Sequence, residues 1–111
     1  MDNRFNWDRL EWDAVTDRIR RKVFHGANCS IVLVELNEDA PVHTHHHEQL
    51  TTILSGSGEF MVGGEGVLVG PGDMLHMPPH MPHGVRIVDA PLVVTDTFVP
   101  CREEFAASKR I

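Results

Sequence analysis

From Cys29 onward the chain consists of short apolar and β-branched runs separated by turn residues, and this rhythm constrains the fold more than any other feature. The runs CSIVLVELN, QLTTILS, EFMV, GVLV, DMLHMP, HGVRIV and PLVVTDTFV have the length and the valine, isoleucine and threonine content of strands. Between them stand SGSG, GGEG, GPGD, PPHMP and DAP, which carry turn or loop chemistry. Strands so short and closely spaced imply an all-β sandwich or barrel, because closing the sheet removes its exposed edges. CSIVLVELN is apolar on both faces and reads as a strand enclosed between layers.

The two ends are less decided. Trp7, Leu10, Ala14 and Val15 fit a helical stripe, whereas RIRRKVF alternates like a strand. The tail REEFAASK has helix-forming composition but is too short to hold a helix unless it packs on the barrel.

A chain of 111 residues fits one domain, 1–111, with one core. At this size about two-thirds of the unfolded surface is buried, so an internal polar group must be compensated or useful. That makes the eight histidines worth tracing. The net charge of −6, with acidic residues spread along the chain, argues against a nucleic-acid partner. The basic run Arg18, Arg20, Arg21 and Lys22 reads as a solvated face. No apolar stretch is long enough to span a bilayer, and MDNRFNWDRLEW lacks the basic start and apolar centre of a secretory signal. A cytoplasmic protein, without a membrane partner, is the expectation. Cys29 and Cys101 imply no disulfide framework and read as reduced, buried residues.

The most specific signal is HTHHHEQ followed by PPHMPHGV. On an extended strand alternate side chains share a face, so His43 and His45 can point together into a barrel, with Gln49 on the same parity. Glu48 has the opposite parity and becomes the alternative if the His46–His47 stretch leaves the strand. His83 lies on a distant segment, as expected when a folded barrel assembles a site for one divalent metal ion. His46 and His47 read as polar surface, and His25 has no chemical context. His76 and His80 either line the pocket or support the ligands from behind.

These two motifs resemble those of the cupins. The first motif of that family has glycine, five residues, His-x-His, three or four residues, Glu, six residues and glycine. Here His43, His45, Gln49 and Gly56 fall at those offsets, with Gln49 in place of Glu and Asn37 in place of the leading glycine. The second has glycine, five residues, Pro-x-Gly, two residues, His, three residues and Asn. Gly72, Pro78 and His83 match it, while His80 replaces the glycine and Ile87 the asparagine. The resemblance implies a jelly-roll β-barrel with motifs at about 37–56 and 72–87, holding its metal through His43, His45, Gln49 and His83. With three imidazoles and a neutral amide the ion would keep its full charge and act as a stronger Lewis acid. Such a set suits Zn, Ni, Fe, Mn or Cu.

PLVVTDTFV carries a second anomaly. Leu92, Val94, Asp96 and Phe98 share one face, so Asp96 stands between apolar neighbours. A buried carboxylate must be paired, hydrogen-bonded or protonated. Arg102, past Pro100, can turn back towards it, which leaves a structural ion pair, a solvated acid and a catalytic acid all open.

Within the cupins the chain is similar to the small pectin-degradation proteins that open the ring of 4,5-unsaturated uronates. WDAVTDRIRRKVF resembles their N-terminal strand, HEQ their third-ligand segment, and DTFVPCREEF their C-terminal signature. The resemblance implies an active site lined by Asp96, Phe98 and Arg102, a small sugar-acid substrate and a homodimer. The expected reaction is hydration and ring opening of an unsaturated monouronate, with Asp96 moving protons. The alternatives are an iron-dependent cupin dioxygenase and a non-catalytic module binding a sugar acid.

Overall fold

A computed structural model describes residues 3–105 in full and the backbone of Lys109–Arg110. The described strands are β1 (Asp13–Ala14), β2 (Ile19–His25), β3 (Ser30–Leu36), β4 (Ala40–His43), β5 (Glu48–Val62), β6 (Glu65–Val69), β7 (Met74–Met77), β8 (His83–Val99) and β9 (Lys109–Arg110). All nine join one sheet, in the order β1-β2-β3-β8-β5-β6, with β4 added to β8, β7 to β5 and β9 to β2.

Two long strands frame the barrel. β5 and β8 run antiparallel from Glu48↔Val99 to Val62↔His83. The SGSG and DAP segments, read from sequence as turns, are bends inside these continuous strands, at register shifts between Ile53 and Gly58. Gly56 sits there with φ +77°, and a Cβ on it would stand 2.3 Å from the Pro91 carbonyl oxygen. The two segments therefore pack on each other and let both strands bend so that the sheet can curl.

Alternation then decides what faces inward. Ile53 and Val94 are paired across β5 and β8 and both are buried, joined by Leu92, Phe60, Leu36 and Ile19 in the main core. Val23, Val32 and Phe98 form a smaller cluster against Phe105. Each such side chain contributes roughly 1.5–3 kcal/mol when fully buried. Between the clusters the barrel stays open.

The ends resolve the sequence ambiguities. Trp7–Arg9 form a single 3₁₀ turn, and RIRRKVF enters β2 as its alternation suggested. The expected C-terminal helix is not formed in the described residues: Arg102–Phe105 lie in a turn, held by the Phe105 N–H on the Arg102 carbonyl at 3.1 Å. Residues 106–108 and 111 lie outside the described part. Among the described residues no helix is long and apolar enough to cross a membrane.

Candidate metal centre and its pocket

Register places the first two imidazoles together: His43, at the end of β4, pairs with His83, at the start of β8, and their rings are 4.5 Å apart. Past His43 the chain leaves extended structure at residues 44–47 and resumes at Glu48. The continuous strand assumed for the parity argument is thus absent. His45 sits in that corner, its ring 5.7 Å from His43 and 4.9 Å from His83. The corner is held by the His80 N–H donating to the His45 carbonyl at 2.8 Å. His80 adopts φ 67°, a left-handed conformation, at the position where the motif has glycine.

Potential ligand atoms of His43, His45 and His83 lie within 4.8 Å of one another. Each Nδ1 contacts a backbone carbonyl: His43 that of Pro41 at 3.0 Å, His45 that of His47 at 3.1 Å and His83 that of Met81 at 2.8 Å. A carbonyl only accepts, so each Nδ1 carries the hydrogen and each Nε2 presents a lone pair. The His83 Nε2 is buried and has no partner. Burial draws the His45 pKa down to about 4, helped by the positive charge of Arg102, and burial lowers that of His83 as well. These imidazoles stay neutral at neutral pH, as metal ligation requires.

Gln49 is 5 % exposed and joins the cluster through a chain of fixed polarity. The Thr51 hydroxyl donates to Asp96 Oδ1 at 2.7 Å and accepts from Gln49 Nε2 at 3.0 Å. Gln49 Oε1 is left 3.0 Å from His45 Nε2. Two lone pairs then face each other, an arrangement that a cation between them would relieve. Ligands at neighbouring positions of an ion with ~2.1 Å bonds are likewise close, about 3.0 Å apart at 90° and about 3.4 Å at the tetrahedral angle. The donor set and the orphaned His83 nitrogen fit a divalent transition metal. Parity holds within β5 itself: Glu48 points outward, to His76 at 2.7 Å.

Asp96 faces the cavity. Burial pushes its pKa up to about 6 against the hydrogen bonds of Thr51 and Gln49, which favour the ionised form. Arg102 does not pair with it; its Nε donates to Glu104 at 2.8 Å. The Arg102 guanidinium lies 4.9 Å from the Phe98 ring centre and 4.2 Å from that of Phe105. Its backbone N–H donates to Ser30 Oγ at 2.8 Å, and the Cys101 thiol donates to the carbonyls of Gly26 and Cys29. Phe98, 2 % exposed, presents its ring to His45 at 5.4 Å. Together with His43, His83 and Gln49, Asp96 and Arg102 line a cavity of about 470 Å³.

Other histidines sit differently from the reading of the sequence. His76 and the side chain of His80 are exposed and outside the cavity lining; His80 serves through its backbone. His47, read as surface, is 2 % exposed and lies edge-on to His45 at 5.3 Å, while His46 is exposed and rests against it. His25 is fully buried, bonded to Ser30 Oγ at 2.6 Å. Thr51 went unnoticed in the sequence, and Arg21 was read there as part of a solvated face. Thr51 shares the parity of Gln49, and Arg21 shares that of Ile19 and Val23, which point inward.

Comparison with known proteins agrees with the fold. The chain is 26% identical over 102 residues to the pectin degradation protein KdgF of Dickeya dadantii, covering 88% of this chain and 93% of that one. The structure of KdgF from Halomonas sp. superimposes with a TM-score of 0.84 at 29% identity, over 90% of this chain and 96% of that one. An RmlC-like cupin from Shewanella frigidimarina superimposes with a TM-score of 0.87 at 23% identity, over 96% and 97% of the two chains. Residues 30–98, from the start of β3 to the Phe98 that closes the pocket, match the model of the cupin domain, and the chain belongs to that family.

Proposed function

We propose that this cupin converts 4,5-unsaturated monouronates, as released from pectin or alginate, to open-chain keto sugar acids, using one divalent metal held by His43, His45, Gln49 and His83. The observation that carries the reading is Asp96, an acid raised to about 6 and held by Thr51 on the wall of the histidine-lined cavity. The likeness to KdgF, named for pectin degradation, supports the substrate class.

When bound, the metal would supply Lewis acidity and orient substrate oxygens. Asp96 delivers a proton to C4 while the oxygen of water adds to C5. The C5 hydroxyl then loses its proton as the bond from C5 to the ring oxygen breaks, leaving a keto group. Of the two protons released by water and by that hydroxyl, one goes to the departing ring oxygen, which becomes a hydroxyl on C1, and the other returns to Asp96. Arg102 takes the substrate carboxylate, and Phe98 forms an apolar wall beside the histidines. The fixed Thr51 hydrogen bond holds the carboxyl so that proton transfer needs little reorganisation. The proposal extends to a cytoplasmic homodimer, with Leu50 (47 % exposed) and Met74 (75 % exposed) on the outer face of β5 and β7 as apolar contact residues.

The test is loss of the conjugated alkene's ultraviolet absorbance when metal-loaded protein meets freshly released unsaturated galacturonate or mannuronate. Acceleration over the spontaneous reaction is expected. No acceleration on either sugar overturns the reading.

A further inference from the structure

The basic run at the start of β2 does not behave as one surface patch. Arg20 points outward and meets Glu35 through two bonds, at 3.0 and 3.2 Å. Arg18 Nε donates to the Asn37 carbonyl at 3.0 Å, and Lys22 Nζ to the Trp7 carbonyl at 2.8 Å. Arg21 differs from all three: it lines the cavity, and its Nε is buried without a hydrogen-bond partner.

Its guanidinium rests 3.9 Å from the centre of the Phe105 ring, the same ring that Arg102 approaches at 4.2 Å. Two cations therefore share one aromatic platform at the side of the pocket. Arg102 is answered by Glu104. Asp13 stands opposite Arg21 in the β1–β2 register and balances part of its charge, yet Asp13 Oδ2 is itself buried without a partner, so no hydrogen bond joins it to Arg21 Nε. Burial lowers the Arg21 pKa in spite of Asp13, and the charge of Arg102 adds to that. A desolvated guanidinium near a second cation is costly unless an anion reaches it. The planar fork of guanidinium matches a carboxylate, and a neutral sugar offers no equivalent charge.

We propose that Arg21 and Arg102 form a two-guanidinium clamp for one carboxylate of the ligand, with Arg21 as the residue that selects acidic over neutral sugars. The clamp rests on the proposed function, since it names how that pocket recognises a uronate. Phe98, between His45 and Arg102, sets the carboxylate end apart from the histidine end, so the ligand's acid group and its metal-facing oxygens are read at separate places.

The experiment is calorimetric titration of the metal-loaded protein with D-galacturonate and with its neutral methyl ester, neither of which requires turnover. Wild type should bind the acid more tightly than the ester by at least about tenfold. Arg21→Met should lose at least about tenfold in affinity for galacturonate, leave the ester unchanged and keep its metal content. Arg21→Lys should recover part of the loss, because it keeps the charge without the fork. A double variant, Asp13→Asn with Arg21→Met, keeps the local charge balanced and should show the same loss if Arg21→Met alone folds poorly. If Arg21→Met binds galacturonate as tightly as wild type while wild type still discriminates, the clamp is wrong and the proposed function stands. If wild type does not prefer the acid, the clamp is overturned; absence of ring opening in the separate absorbance assay would then remove the proposed function too.

Discussion

The hydroxyl of Thr51 donates to Asp96 Oδ1 at 2.7 Å, and this bond fixes the polarity of everything between the acid and the histidines. Having spent its one hydrogen on Asp96, Thr51 can only accept from Gln49, which turns the Gln49 carbonyl oxygen towards His45. The acid and the histidine cluster are thereby linked through two buried side chains.

Thr51→Val keeps the shape and removes the hydroxyl. It should destabilise the fold by about 1–3 kcal/mol, since the Asp96 carboxyl and the Gln49 amide each lose a partner. Freed to turn, the amide should hold the ion less well, by roughly 10–100-fold. Thr51→Ser should restore both properties. Thermal denaturation and chelator competition measure them.

Gln49→Ala and Glu48→Ala separate the two candidates for the fourth ligand. Gln49 is beside His45, whereas Glu48 bonds the exposed His76 on the outside. Gln49→Ala should weaken metal binding by roughly 10–100-fold. Glu48→Ala should leave it unchanged and cost about 0–1 kcal/mol of stability. A larger metal loss from Glu48→Ala contradicts the assignment.

Much of this arrangement was legible in the sequence, and the limits have physical causes. The strands showed because short β-branched runs stand between segments of turn chemistry. His43, His45 and His83 showed because two widely separated segments matched one pair of motifs. Gln49 was chosen on a strand continuing through residues 44–47, yet the chain turns a corner there. Gln49 still lies beside His45, because parity within β5 places Gln49, Thr51 and Ile53 on the inner face. The corner itself depends on β4 pairing with β8, a contact distant in sequence that no local pattern encodes. His47 was misjudged for the same reason: the corner tucks it under Phe98. SGSG and DAP have turn composition but oppose each other across two long strands, and only their mutual packing makes them bends. Arg21 was hidden by three basic neighbours whose charge invited a surface reading.

The raised pKa of Asp96 gives a stability difference with a defined sign in metal-free protein. The folded carboxyl keeps its proton up to about pH 6, the unfolded one only to about 3.8, so stability falls as pH rises through that window and stays lower above it. Asp96→Asn removes the loss. It should be more stable than wild type at pH 7–8 by up to about 3 kcal/mol, the gap closing towards pH 4. His45 and His83 act oppositely, losing stability as pH falls below 6.5, but they are common to both proteins. Urea denaturation across that pH range measures the gap, and a gap that does not vary with pH would contradict the burial of the charge.

The most direct measurement is the rate of ring opening of unsaturated galacturonate by metal-loaded wild type and Asp96→Asn, each with its metal content determined on the same sample. The account predicts equal metal and a loss of about 10²–10⁴-fold in the variant, the usual contribution of a positioned acid–base group. A variant that keeps both its metal and the full wild-type rate would show that Asp96 moves no proton, and the account would fail at its centre.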